Sequence, residues 1–191
     1  TVSTFSSFAI AASPMFHARI AAADSLPVGG QVETGSASIN NPSANSLIVN
    51  QTSDRAVIGW DSFSIGSGGE VTFNVPDASS ATLNRVSGSM TSTIAGQMRS
   101  NGQLLLINPN GILITPTGSV KANAFIGSSL DIQNSDFAGG KTRFKGNGAS
   151  ADVINQGLIQ TEDGGVVVLM GGHVENTGTI EANEGAVGLA S

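Results

Sequence analysis

Two stretches near the C-terminus repeat one another: VINQGLIQTEDGGVVVL from Val153 and VENTGTIEANEGAVGL from Val174. Asn155 matches Asn176, Gly157 matches Gly178 and Ile159 matches Ile180, all at an offset of 21. Gly165 then matches Gly185 and Leu169 matches Leu189 at 20, so one residue is lost in a turn. An earlier unit, TGSVKANA from Thr117, matches TGTIEANE from Thr177 at an offset of 60, which reads as three periods. A period this short excludes a helical pair, which needs about 33 residues or more. It fits one coil of a parallel β-helix, with three short strands and three turns. The segments GLIQT, GVVVL, GTIEA and GAVGL alternate as strands do. Their Val, Ile and Leu would point inward and stack coil on coil at the ~4.8 Å strand spacing. Glycine and asparagine suit the corners, where the chain needs left-handed backbone or close approach. Asparagines at equivalent corners can form a hydrogen-bonded ladder. Residues 30–191 predict roughly eight coils, ~38 Å long at that spacing. No helix is predicted; MTSTIAGQMRS, residues 90–100, contains Gly96 and three early Ser or Thr.

Composition supports an all-β chain. Charged residues make up 12%, against roughly 25% in an average domain. Glycine accounts for 25 of 191 residues, and Ser, Thr and Asn fill much of the rest. Such a mixture disfavours helices and favours strands joined by tight turns. The net charge of −6 and the lack of a basic patch argue against nucleic-acid binding. After the N-terminal segment no run of ~18 apolar residues suggests a membrane span. There is no cysteine, so disulfides and thiolate metal sites are excluded. Residues 5–16, FSSFAIAASPMF, followed by Ala21-Ala22-Ala23 and Asp24, read as the apolar region and cleavage site of a secretory signal peptide. Residues 1–23 are therefore expected to be its remnant, and residues 24–191 a single domain acting outside the cytoplasm.

Inside this pattern, LLLINPNGILIT from Leu104 places a polar turn between two apolar runs. Asn108 and Pro109 suit the opening of a tight turn, and Asn110-Gly111 its left-handed end. The turn could join a hairpin or form a corner.

Several segments in order carry a family resemblance. They are LPVGGQVETGSASI from Leu26, VNQTSDRAVIGWDSFSIGSGGEVTFNVP from Val49 and ATLNRVSG from Ala81. SNGQLLLINPNGILI from Ser100 and SLDIQNSDF from Ser129 complete the set. Together they resemble the secretion domain of two-partner secretion exoproteins, the filamentous-haemagglutinin-like adhesins and haemolysins of Gram-negative bacteria. The resemblance implies a right-handed parallel β-helix with an N-terminal cap and extra antiparallel strands, its coil being the short repeat already described. It implies an N-terminal fragment of a longer exported protein, without catalytic residues, cofactor or metal. It also implies recognition in the periplasm by the POTRA domains of an Omp85-type outer-membrane transporter. The passenger would then reach the cell surface or extracellular medium, where it could meet host or matrix glycans. The domain itself is expected to be a monomer. The signature maps onto Asn108, Pro109, Asn110, Gly111 and Ile112, which either contact the transporter or build a structural turn. Other signature residues are Asn50, Arg55, Trp60, Phe63, Asn84 and Arg85. A second motif of one subset, Asn-Pro-Asn-Leu, is missing; the nearest pieces are NNPSAN at 40–45 and NRV at 84–86.

Taken singly, these residues also have structural readings. Asp54-Arg55 suits a surface ion pair or turn. Trp60 and Phe63 suit burial under a cap, and Arg85 could donate to corner carbonyls. His17 and His173 lie too far apart to share a metal. Glu162-Asp163 and Glu181…Glu184 fall at equivalent corners; they could bind Ca²⁺ or act as an acid pair, but read as solvated corners. Two other functions fit a β-helix: a glycan-binding adhesin module, and a polysaccharide lyase or hydrolase. The second needs several charged side chains on one sheet, and only eight Lys and Arg are present, scattered.

Overall fold

The computed structural model describes residues 26–146, 148 and 151–191. The proposed signal remnant and His17 lie outside the described residues. Alternating apolar and polar residues build three faces of a parallel β-helix. The first sheet stacks Arg55–Trp60, Ala81–Val86, Gln103–Ile107, Ala124–Ser128, Val166–Met170 and Ala186–Ala190 in parallel. The second stacks Ser46–Gln51, Glu70–Asn74, Gln97–Ser100, Ser119–Ala122, Leu158–Thr161 and Thr179–Glu181. The third, shorter, holds Ser92–Ile94, Ile112–Ile114, Asp152–Asn155 and His173–Asn176.

Inward-facing residues sit in register from coil to coil. Ala56, Thr82, Leu104, Phe125 and Val167 form one column. Every member of it is buried. Burying each large apolar side chain contributes about 1.5–3 kcal/mol. Trp60 and Phe63 close the N-terminal end of this core at 1% exposure each, ring edge to ring face with centroids 5.5 Å apart. Above them lies the cap. Gln31–Thr34 pairs antiparallel with Arg55–Trp60, and Ala37–Ser43 pairs antiparallel with Ser46–Gln51. The stretch at 40–45 spans the end of the second cap strand and its turn.

Among the described residues the coils number six rather than eight, spanning about 29 Å at the usual strand spacing. Two departures account for the difference. Residues 31–43 form the antiparallel cap. Residues 131–146 leave the coil, between Ala124–Ser128 and Asp152–Asn155. The offset between the Thr117 and Thr177 units is therefore two coils, not three. Val120 pairs with Ile159 and Ile159 pairs with Ile180, and the first of these two steps contains the whole departure.

This excursion contains a short antiparallel pair, Asp131–Ile132 with Phe144–Lys145, and a helix, Asn134–Ala138. The helix departs from the all-strand expectation. A single turn of helix cannot persist alone; burial of Phe137, 2% exposed, holds it in place. Phe137 and Ile132 cover the outer side of the first sheet, packing with Val57, Ala81, Leu83, Leu105 and Ile107. The strands Arg55–Trp60, Ala81–Val86 and Gln103–Ile107 are thus covered on both sides, which explains the unbroken apolar run Leu104–Ile107. Leu104 and Leu106 belong to the inner core, Leu105 and Ile107 to the outer one.

Candidate functional site

The Asn-Pro-Asn-Gly turn joins Gln103–Ile107 of the first sheet to Ile112–Ile114 of the third. It is a corner, not a hairpin. The Gly111 amide donates to the Asn108 carbonyl at 3.0 Å, closing a tight turn. Pro109 takes the second position, where its fixed φ is favourable. Gly111 has φ 98°, a region open to glycine. A Cβ there would stand 2.7 Å from the Asp152 carbonyl oxygen.

Asn108 is 0% exposed. Its Nδ2 donates to the Met90 carbonyl and the Ser92 hydroxyl, both at 2.9 Å. Its Oδ1 accepts from the Asn110 amide at 2.9 Å and from Asn110 Nδ2 at 3.2 Å. Asn110 Nδ2 also donates to the Gly88 carbonyl at 2.7 Å, and the Thr91 hydroxyl donates to the Asn110 carbonyl at 2.8 Å. Ile112 is buried in the inner core. Asn108 thereby saturates its side chain by tying its own coil to the one before. Pro109 and Asn110 keep part of their surface.

The other signature residues are dispersed. Asn84 faces the interior, fully buried, and accepts from Trp60 Nε1 at 3.0 Å while donating to the Leu105 carbonyl at 3.3 Å. Both partners satisfy a polar group that would otherwise be costly inside an apolar core. Asn50 lies on the surface, where Asn74 Nδ2 donates to its Oδ1 at 2.8 Å. Asp54 lies in the bend that leads into Arg55, whose guanidinium lies over the Phe137 ring at 5.2 Å in a cation–π contact. Arg85 does reach a carbonyl, that of Ile132, at 2.5 Å from Nη2. It also meets Asp131 Oδ1 at 3.0 Å through Nε, Asn134 Oδ1 at 2.6 Å through Nη1 and Glu33 Oε2 at 3.5 Å. Glu33, Asp131 and Asn134 escape sequence reasoning, since 101 positions separate Glu33 from Asn134 and no local pattern links them.

Glu162 is an exposed corner residue 3.7 Å from Lys121, whereas Glu181 ends the strand Thr179–Glu181 opposite Gln160, not at the matching corner, and accepts from Gln160 Nε2 at 2.8 Å. His173 is exposed and lies 3.7 Å from Glu175. Among the described residues no three His, Cys, Asp or Glu are grouped to hold a metal, and no helix is long and apolar enough to cross a membrane. The Asn155–Asn176 ladder is present, with Nδ2 to Oδ1 at 2.7 Å.

Known proteins resemble this chain along much of its length. The profile of the TPS secretion domain matches residues 18–191. A heme/hemopexin-binding protein of Haemophilus influenzae is 37% identical over 183 residues, covering 91% of this chain and 20% of that protein. Another protein of that name and species is 31% identical over 124 residues, 65% of this chain and 13% of the relative. The chain thus spans about a fifth or less of the curated relatives it matches. The crystal structure of the HMW1 secretion domain from Haemophilus influenzae superposes with a TM-score of 0.82 at 36% identity, over 86% of this chain and 44% of that one. The chain belongs to the TPS secretion domain family: it is a non-enzymatic, secretion-targeting domain of the kind found in exported Gram-negative proteins.

Proposed function

We propose that this domain is an export address, read in the periplasm by the POTRA domains of an Omp85-type transporter before the domain folds. It then directs a longer passenger to the cell surface or medium. The observation that carries the timing is the sealing of Asn108, 0% exposed with its side-chain donors and acceptor engaged inside the fold. A transporter meeting the folded domain would find little of the signature to bind. A transporter meeting the extended chain would find many short strand-forming segments, most of them alternating. POTRA domains can add such strands to an open sheet edge, with backbone hydrogen bonds giving affinity and side chains giving selectivity. The lack of cysteine supports the same route, because no periplasmic disulfide can lock the chain before threading. The Asn-Pro-Asn-Gly corner then serves the fold formed outside, and residues 1–23 serve as the leader removed at the inner membrane. N-terminal sequencing of the exported protein would read the start: Asp24 is expected, and retention of the apolar residues 5–16 would contradict a cleaved leader.

The test is binding of residues 24–191, the chain left once the leader is removed, to the periplasmic region of its own organism's transporter, with the chain either folded or freshly diluted from urea. Saturable binding by the urea-diluted chain, stronger than by the folded one and absent from a scrambled sequence, is the expected result. Equal or tighter binding by the folded domain would overturn the timing. No binding by either would overturn the address itself.

A further inference from the structure

Three segments distant in sequence meet at one guanidinium. Arg85 projects from the second strand of the parallel stack in the first sheet and binds Asp131, Ile132 and Asn134 of the excursion. It also lies 3.5 Å from Glu33 of the cap, and Asn134 Nδ2 donates to the same Glu33 oxygen at 3.2 Å. Two further details fit the cap residue to this meeting. The pairing of Gln31–Thr34 with Arg55–Trp60 shifts register between Val32 and Thr34, so Glu33 sits in a bulge. A bulge re-aims the side chain it carries. Gly59 stands beside Arg85 in the ladder, and a Cβ there would lie 2.5 Å from Glu33 Oε1. Glycine at this position therefore leaves room for the carboxylate to pass across the first coil to the second.

We infer that Arg85 is a clasp that completes the N-terminal cap only when residues 131–134 have arrived. The cap strand is short and at the edge of its sheet. Its charged anchor, Glu33, faces a guanidinium whose remaining donors belong to the excursion. Without Asp131 and Asn134, Arg85 lacks the partners that hold its fork toward Glu33, and an isolated exposed pair contributes little. With them, one planar fork satisfies two carboxylates, an amide and a carbonyl, a geometry suited to Arg rather than Lys. The domain would thus be unable to close its first edge before the excursion is made. The coupling is a property of the chain by itself and does not rest on the export reading.

Amide hydrogen exchange on the 191-residue chain tests the clasp without any transporter. In pulse-labelled refolding, Gln31–Thr34 is expected to gain protection together with the Asp131–Ile132 and Phe144–Lys145 pair, after Gln103–Ile107. At equilibrium, Arg85→Gln is expected to speed exchange at least about tenfold in both the cap strand and the excursion, with Gln103–Ile107 unchanged. Gly59→Ala displaces Glu33 without altering Arg85 or the excursion, and should raise exchange in both the cap strand and residues 131–134. Where Arg85→Gln does not fold, Glu33→Gln and Asp131→Asn carry the comparison. Each is expected to raise exchange in the segment it does not belong to. Protection of the cap before the excursion, or variants that loosen only their own segment, would overturn the inference.

Discussion

The two ends of this β-helix solve the same packing problem with different regularity. From Asp152 onward the coils are nearly equal in length, and paired positions carry matching types: Ile159 on Ile180, Leu169 on Leu189, Asn155 on Asn176. Before it, Leu47, Val71, Met98, Val120 and Ile159 still stack in one column of the second sheet. The chain between successive members of that column lengthens, shortens and then nearly doubles. The inner columns run through both regions without interruption. What differs is the material extruded at the corners. A β-helix constrains which side chains face inward and leaves the length between strands free, because loop closure grows costly only slowly with length. The irregular end uses that freedom to build a cap and an outer core. Among the described residues the regular coils carry no outer core like the one over Val57, Leu83 and Leu105.

The comparison is broken most forcefully in the middle of the inner core. Leu106→Ala should cost about 2–5 kcal/mol, read by urea denaturation, while Val187→Ala should cost well under that because its site is half-solvated. Equal costs would show that the last coil is as tightly packed as the centre. Next comes the outer core. Phe137→Ala should cost up to about 3 kcal/mol, the low end for a buried aromatic, because the excursion can detach locally. Exchange should rise over residues 131–145 and stay slow in Leu158–Thr161. Unfolding of both together would make the excursion part of the main core.

Gly111→Ala strains a left-handed backbone and drives a methyl toward the Asp152 carbonyl, with an expected loss of about 1–3 kcal/mol in the same denaturation assay. Asn155→Ala removes one rung of the ladder and should cost about 1 kcal/mol. The smallest effect is at Asp77, where the Ser79 hydroxyl and amide, aided by Ser80, hold the carboxyl below its ordinary pKa. A depressed carboxylate stabilises the fold above its unfolded pKa of ~3.9, and that contribution disappears as pH falls through the folded value. Asp77→Asn should therefore flatten the stability profile only at and below about pH 4. A difference that persists unchanged on acidification would place the effect elsewhere.

How much can be read from sequence follows the same division. The C-terminal repeat discloses its register, its ladder and its inward face, because there the matching positions lie one coil apart. The corner at Asn108–Gly111 discloses its turn chemistry, since turn preferences are local. It does not disclose whether the turn joins a hairpin or two sheets, which depends on partners in other coils. A count of eight coils is too high because an excursion of unrelated sequence preserves the apparent periodicity on either side of it. Thr117 and Thr177 match whether the intervening residues coil or not. Leu105 and Ile107 are readable as strand but not as outward-facing, since the cover over them comes from Ile132 and Phe137. Arg85 is visible as a signature residue, yet its partners at Glu33, Asp131 and Asn134 are joined to it only by the fold.

The most direct measurement sets Asn108→Ala against the original chain in two assays: urea stability of the folded domain, and affinity of the urea-diluted chain for the transporter's periplasmic region. If the signature is a corner of the folded product, the variant loses about 1–3 kcal/mol of stability, because the Met90 carbonyl and the Ser92 hydroxyl lose their donor, while its unfolded chain binds as tightly as the original. An affinity lost from the unfolded variant, with folded stability intact, would contradict this and make Asn108 a residue the transporter reads.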